Sequence, residues 1–186
     1  GSRGLGDVYK RQVYVGEEGN LLEQKEENCH VLKINDPILT DTELLKIRNM
    51  KVDGFRGAEI STTYYKNSSL EKAIDYLFIQ VDRAIREGMN ILILSDRGVD
   101  EYHIAIPSLL ATSAVHQHLV RTKRRTEVAM ILETGEPREV HHFATLLGYG
   151  ASAINPYLAH ESIKQLIDTD MLQKDYYAAV LSLIHI

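Results

Sequence analysis

The stretch Met89-Asn90-Ile91-Leu92-Ile93-Leu94-Ser95-Asp96-Arg97-Gly98 decides the fold. Ile91 to Leu94 are consecutive branched apolar residues with no polar alternation. A strand with one wet face alternates. An unbroken short apolar run between Gly88 and a polar turn reads instead as a strand covered on both faces. Such strands belong to parallel sheets flanked by helices. The run stops abruptly at Ser95-Asp96-Arg97-Gly98, the carboxyl end of the strand, where parallel α/β folds place their ligands.

Working outward, the flanking segments repeat one unit. Upstream, Ser68-Ser69-Leu70-Glu71 has the form of a capping box. The helix it opens carries the clearest period in the chain, a stripe of Ala73, Ile74, Leu77, Phe78, Val81, Ala84 and Ile85. Gly88 suits the C′ position. Further back, Ala58 to Thr63 reads as a β-branched strand. Thr40-Asp41-Thr42-Glu43 is another capping box, opening a helix through Leu44, Leu45, Ile47 and Arg48 to about Met50. His30 to Ile34 reads as a short extended segment closed by Asp36-Pro37. Leu21 to Asn28 is charged and irregular or weakly helical.

Downstream, Pro107 suits a first helical position. Its helix carries Leu109, Leu110, Ser113, Ala114, Gln117, Leu119 and Val120 to the basic turn Arg121–Arg125. Glu127 to Leu132 is the next strand and runs into Glu133-Thr134-Gly135. Pro137 starts a helix with Val140, Phe143, Ala144 and Leu147 inward. Gly148-Tyr149-Gly150 is its C-cap and a tight turn. Ala151 to Asn155 is a short strand ended by Pro156. Tyr157 to Asp168 and Met171 to Val180 read as helices. The predicted fold is α/β, a parallel sheet of about four βα units with flanking helices and right-handed crossovers.

The 186 residues suffice for one domain with a real core. Hydrophobic residues are 44% and charged residues 25%, the balance of a soluble globular chain. A net charge of −5 argues against a broad nucleic-acid or anionic-membrane surface. The single cysteine, Cys29, excludes a disulfide framework and suits a reducing compartment. No apolar run approaches the roughly 20 residues that span a bilayer, and no signal-peptide core is visible. Cytoplasm is therefore the expected compartment. Both ends look foreign to the fold. Gly1 to Gln12 is glycine-rich and basic, Leu181 to Ile186 is apolar and uncapped, and both resemble translated synthetic adapter sequence. Residues 1–12 and 181–186 are set apart as non-native tails, leaving 13–180 as the domain.

Three strand ends collect polar residues: Ser95-Asp96-Arg97, Glu133-Thr134 and Asn155. In a parallel sheet they share one rim. With His141 or His142 from the next helix start, the candidate rim is Ser95, Asp96, Arg97, Glu133, His141 and His142. The competing structural reading pairs Asp96 and Arg97 with neighbours or uses them as caps. No metal site is expected. His116 and His118 are two apart on a helix, His141 and His142 are adjacent, and no pair has zincin spacing. Gly148-Tyr149-Gly150 follows a helix and is no phosphate loop. Cys29 lies near nothing that would activate it. There is no Gly-x-Ser-x-Gly elbow, and no catalytic residue is assigned.

Several motifs then fall into a known pattern. They are Ile93 to Gly98, Ile106-Pro107-Ser108-Leu109-Leu110-Ala111, Ala114 to Arg121, Glu133-Thr134-Gly135-Glu136-Pro137-Arg138-Glu139-Val140-His141-His142-Phe143-Ala144, Leu147 to Ala151 and Ile154 to Ala159. Together they resemble the central domain of the glutamate synthase large subunit, specifically over Ile91–Ser162 and more loosely over Asn28–Asn90. The resemblance implies a long enzyme. A glutamine amidotransferase domain with a cysteine nucleophile precedes the central domain, and an FMN- and iron–sulfur-binding barrel follows it. Ammonia released from glutamine travels through a tunnel and is used to make glutamate from 2-oxoglutarate. The central domain is the connector that helps line the tunnel. Its partners are the amidotransferase and FMN-binding domains of the same chain, with neither nucleic acid nor membrane involved. Cys29 matches none of the family's functional cysteines, so the segment itself is expected to hold no cofactor and to be inactive alone. As a tunnel wall, the rim should present no free carboxylate, and Asp96 should be buried and neutralised by Arg97, a backbone N–H or a histidine.

An alternative from another class is an independent α/β small-ligand-binding or enzymatic domain using Asp96, Arg97 and Glu133. The connector reading predicts exposed apolar surface. The independent reading predicts an enclosed pocket with perturbed carboxylates.

Overall fold

The structure, a computed structural model, describes residues 13–16, 31–34, 36–169, 175, 176 and 179. The readings of Leu21–Asn28, of Cys29, of both tails and of most of the 171–180 helix lie outside them.

Strand β1 (Val13–Gly16) pairs antiparallel with β2 (Val31–Ile34). Helix α1 (Asp41–Arg48) follows, then β3 (Gly57–Ser61), β4 (Thr63–Tyr65), α2 (Leu70–Arg86) and β5 (Ile91–Ser95). Next come β6 (His103–Ala105), α3 (Ser108–Arg121), β7 (Ala129–Glu133), α4 (Val140–Gly148), β8 (Ala153–Asn155) and α5 (Tyr157–Asp168). The central sheet has the order β3-β5-β7-β8, with every pair parallel. Beyond β8, Ile154 N–H donates to Pro37 O at 2.8 Å and Leu39 N–H to Ile154 O at 2.8 Å, so the 37–39 segment extends the sheet. The predicted parallel α/β sheet is the fold observed.

The Ile91–Leu94 run is an interior strand, and its four side chains are at most 2% exposed. Burying each stabilises the fold by roughly 1.5–3 kcal/mol. Alternation divides them between two cores. Leu92 and Leu94, with Met130, Leu132 and Ile154, pack against the apolar faces of α2, α3 and α4. Ile91 and Ile93, with Ala129, Ile131 and Ala153, face α1 and the β1–β2 hairpin through Leu44, Ile47, Val15 and Ile34. Two covered faces explain why no polar residue interrupts the run.

Local signals place the helices. Thr40 and Glu43 form the capping box read from sequence: Glu43 N–H donates to Thr40 Oγ1 and Thr40 N–H to Glu43 Oε2. At α2 the box is not formed as read. The N-cap is Ser69, whose Oγ accepts from Lys72 N–H, so the third helical position holds a lysine with no reciprocal acid. Ala73, Leu77, Val81 and Ala84 of the predicted stripe are buried. On α3 the buried face is Ala111, Thr112, Val115 and Leu119, whereas Leu109, Leu110 and Val120 are exposed. Helix α4 starts three residues after Pro137, with Glu139 as N-cap, and buries Phe143 and Leu146 rather than Ala144. A further two-stranded antiparallel sheet, β4 with β6, was not foreseen.

Arg125 fastens the ends of α3 and α4 to the sheet. Its guanidinium donates to His116 Nδ1 at 2.9 Å, Val128 O at 3.0 Å and Gly150 O at 2.9 Å. Gly150 ends α4 at φ +117°, and a Cβ there would meet His116 Nδ1 at 2.6 Å. Gly148, in the last turn of α4, has open space around its missing Cβ. Gly150→Ala should therefore destabilise the fold by about 2 kcal/mol, combining left-handed strain with a clash. Gly148→Ala should stabilise it by about 0.5–1 kcal/mol through helix propensity. Urea unfolding of the two variants measures both, and equal midpoints would contradict this account of the α4 terminus.

Candidate functional site at the carboxyl ends of the sheet

The parallel register lines up the last residues of the strands. Ser61 sits beside Ser95, Ser95 beside Glu133, and Glu133 beside Asn155. Side chains two apart share a face, so this row points with Ile91 and Ile93 toward α1. The next residues, Asp96 and Thr134, point the other way, toward α3. The rim is thus two polar clusters on opposite faces of one sheet.

On the α1 face the centre is Glu133, whose residue is 2% exposed. Its Oε2 accepts from Ser95 Oγ at 2.6 Å and from Arg48 of α1 at 2.9 Å. Its Oε1 accepts from Arg97 Nε at 2.7 Å. Arg48 also lies 3.0 Å from Glu59, and the Arg97 guanidinium is 3.8 Å from Asp41 and 3.9 Å from Glu161. One buried carboxylate is thus held by two cations and a hydroxyl. Asn155 extends the row, donating to Leu39 O at 3.0 Å and to Asp41 Oδ1 at 2.8 Å.

On the α3 face the centre is Asp96, 6% exposed. Thr134 Oγ1 donates to its Oδ2 at 2.6 Å, Gly135 N–H to both oxygens at 3.1 and 3.2 Å, and Tyr157 Oη to its Oδ1 at 2.6 Å. All its donors are neutral. A Cβ on Gly135 would meet Leu158 Cδ1 at 2.5 Å, so a larger residue there would have to displace the Leu158 side chain. Tyr157, at the start of α5, joins the clusters: the Arg97 guanidinium lies 4.1 Å from its ring centroid. Burial, then the bond to Asp96, pushes the Tyr157 hydroxyl far above the usual phenol value. It stays a protonated donor.

Of the sequence-derived rim, the structure brings together Ser95, Asp96, Arg97 and Glu133. Arg97 serves Glu133 rather than its neighbour Asp96. His141 and His142 do not join them. Both are exposed on α4, and His142 Nδ1 accepts from Arg138 N–H at 3.1 Å. They miss the rim because α4 starts later than Pro137 suggested, which turns its first residues outward. Sequence reasoning missed Arg48, Tyr157 and His160. Tyr157 follows a strand-ending proline directly, the one signal that could have placed it on the rim.

His160, 1% exposed, has no hydrogen-bond partner for either ring nitrogen among the described residues. Burial holds its pKa below the usual histidine value against the opposing pull of Asp41 and Glu43. His116 is lowered the same way, by burial and then by Arg125.

The space beside Asp96 is small, whereas a cleft of about 330 Å³ opens between the starts of α3 and α4, lined by Ser108, Glu136, Pro137, His142, Thr145 and Leu146. The cavity lined by Thr62, Leu94, Asp96, Ser108, Leu132 and Thr134 is about 10 Å³, room for one water at most. Nearby, the N-terminus of α3 is already occupied: Ser108 N–H donates to both Glu136 oxygens at 3.1 Å, and Ser108 Oγ to Oε2 at 2.6 Å. A carboxylate stands where a phosphate would otherwise bind, so this helix end does not fit a flavin phosphate. No cluster of histidine, cysteine and acidic residues among the described residues could hold a metal. The chain's single cysteine does not fit the ligand set of an iron–sulfur cluster. None of the described helices is long and apolar enough to cross a membrane.

A family model described as the glutamate synthase central domain matches residues 6–184. The chain belongs to the glutamate synthase central domain family. It is 41% identical over 173 residues to the NADPH glutamate synthase large chain of Bacillus subtilis, covering 93% of this chain and 11% of that one. It is 39% identical to the NADH glutamate synthase of Schizosaccharomyces pombe, over 86% of this chain and 8% of the relative. It is 41% identical to ferredoxin-dependent glutamate synthase 2 of Synechocystis, over 85% and 10%. The chain spans about a tenth of the length of these relatives. In this central domain, then, both oxygens of Asp96 and of Glu133 accept hydrogen bonds from within the chain.

Two outcomes follow from the site. Asp96→Ala leaves three donors without their acceptor and should cost about 3 kcal/mol, whereas Tyr157→Phe removes one donor and should cost about 1 kcal/mol. Denaturant titration checks both, and equal costs would mean that Asp96 is not the hub. His160 and His116 have folded-state pKa values below their unfolded value. Their stability contribution is complete above the unfolded pKa, about 6.5, and is lost as pH falls through the depressed folded values. The melting temperature should drop between pH 7 and pH 5, and His160→Phe should flatten that drop. A parallel drop in both proteins would assign the acid sensitivity elsewhere.

Proposed function

We propose that this domain is the connector of a glutamate synthase and forms part of the wall past which ammonia moves. In the reaction, water cleaves the side-chain amide of glutamine to glutamate and ammonia, the ammonia condenses with the keto carbon of 2-oxoglutarate with loss of the carbonyl oxygen as water, and the imine takes up two electrons and two protons to give glutamate. The reducing equivalents are supplied by a flavin and an iron–sulfur cluster held outside this segment. The amidotransferase and FMN-binding domains of the same long chain are its partners.

The observation that carries this reading is that both rim carboxylates are saturated. Ammonia must cross as the neutral base. A buried acid with a free oxygen would bind the protonated form and hold it by ion pairing. Here Glu133 is held by Arg48, Arg97 and Ser95. Asp96 is held by Thr134, Gly135 and Tyr157. Such a wall offers structure without proton chemistry. The relatives add support: those named for NADPH, NADH and ferredoxin match at 41%, 39% and 41% identity, as befits a role shared by all three. A substrate bound directly on Asp96 would need space there, and the 10 Å³ beside it does not supply it.

The test uses the full-length synthase. Asp96→Ala should leave glutamine hydrolysis running while glutamate formed from 2-oxoglutarate per glutamine consumed falls several-fold. Activity with added ammonium as nitrogen source should be retained. An unchanged ratio would make Asp96 a structural acid with no part in coupling.

A further inference from the structure

The cleft between the starts of α3 and α4 takes no part in the rim clusters. Its volume of about 330 Å³ falls at the lower end of the range of small-molecule sites. Its floor is apolar, with Leu146 3% exposed and Pro137 buried. Leu109, 38% exposed, adds an apolar wall. Two groups able to hold a polar ligand line it as well, Glu136 and His142, and both are open to solvent.

These two groups give the cleft two poles of opposite character. Glu136 is an anion held in one place by Ser108, whose N–H donates to both oxygens and whose Oγ donates to Oε2. An ionised carboxyl group offers roughly four acceptor positions, so Oε1, with one donor, keeps room for another. At the start of α4 the character is reversed. Its N-cap, Glu139, makes no side-chain bond to the helix, so the positive end of the helix dipole carries no side-chain cap. His142 is the third residue of α4, and its Nδ1 accepts from Arg138 N–H at 3.1 Å. The neutral ring therefore carries its proton on Nε2. That N–H is a donor beside a helix end that favours an anion.

We propose that this cleft binds a free α-amino acid with an apolar side chain. Its ammonium group donates to Glu136, its carboxylate accepts from His142 Nε2–H, and its side chain lies on Leu109 and Leu146. The ligand class follows from the two poles. A simple anion would meet the Glu136 carboxylate, and a simple amine would leave the His142 donor and the α4 end without an acceptor. An uncharged apolar compound would desolvate both poles and pair with neither. A zwitterion answers both, and the apolar floor selects among zwitterions. Ser108 lines both this cleft and the 10 Å³ cavity beside Asp96, and so stands between them. The site is thus distinct from the rim, and the inference does not depend on any role in moving ammonia.

Equilibrium dialysis of the native full-length chain against radiolabelled L-leucine tests it, with and without excess L-glutamate to fill the substrate sites. Leucine should bind with a Kd of about 1 mM or tighter, and glutamate should not displace it. Displacement by glutamate would assign the binding to a substrate site and overturn the proposal, as would no binding up to about 10 mM. Two competitors probe the poles on the unaltered chain: 3-methylbutylamine lacks the carboxylate and 4-methylpentanoate lacks the ammonium. Each should compete at least ten-fold more weakly than unlabelled leucine, and competition by either as strong as leucine's would overturn the two-pole site. Glu136→Gln keeps a carbonyl acceptor for Ser108 and should weaken leucine binding at least ten-fold. Leu109→Trp fills the cleft without touching that cap and should abolish binding. Undiminished binding in either variant would place leucine elsewhere and overturn the proposal. All these readouts are of binding, so the coupling assay and this one fail independently.

Discussion

A strand covered on both faces takes its own ends out of water. Strand β5 is buried from Ile91 to Ser95, and the burial continues into Asp96. Its neighbour β7 is buried through Glu133 and Thr134 to Gly135. The polar residues that terminate these strands cannot face solvent, and a charged group left unpaired in such a place costs several kcal/mol. Everything packed over the carboxyl end of the sheet answers that constraint. Helix α1 brings Arg48, the β5 loop brings Arg97, and the start of α5 brings Tyr157.

The two carboxylates are satisfied in different ways, and the difference follows from the faces they occupy. Glu133 points toward α1, where a basic residue in the last helical turn also suits the helix dipole. It receives full cations. Asp96 points toward α3, among Leu94, Ala111 and Leu132, where a guanidinium would itself need a solvent path. It receives two hydroxyls and a backbone N–H instead. Arg97 reaches past its neighbour to Glu133 because consecutive strand-end residues point to opposite faces. A charge pair adjacent in sequence is thus separated by the sheet itself.

The same geometry marks what could be read from the chain. The Ile91–Leu94 run, the Thr40–Glu43 box and the stripe on α2 each carry a period or a cap that is local, and each is found in the structure. The rim was half legible. Ser95, Asp96, Arg97 and Glu133 lie at strand ends, which hydrophobic runs delimit. Arg48 and Tyr157 come from helices whose placement depends on packing over the sheet, and no local pattern reports that. The histidines were misplaced because Pro137 looked like a helix start, whereas the turn through Glu139 delays α4 and rotates it. The β4–β6 ribbon has strands of three residues, too short for an alternation to show.

The short antiparallel ribbon above the rim, β4 with β6, is an arm tied to the same strand ends. Thr62 N–H donates to Ser95 O at 2.8 Å and Ile106 N–H to Thr62 O at 2.9 Å, so both strands of the arm are anchored on the last rung of the sheet. Ser95 in turn donates to Glu133. Displacement of the arm would pull on Ser95, then on the Glu133 carboxylate, and so on both arginines. The interior charge at the sheet end and the ribbon above it are thus joined by one continuous series of hydrogen bonds.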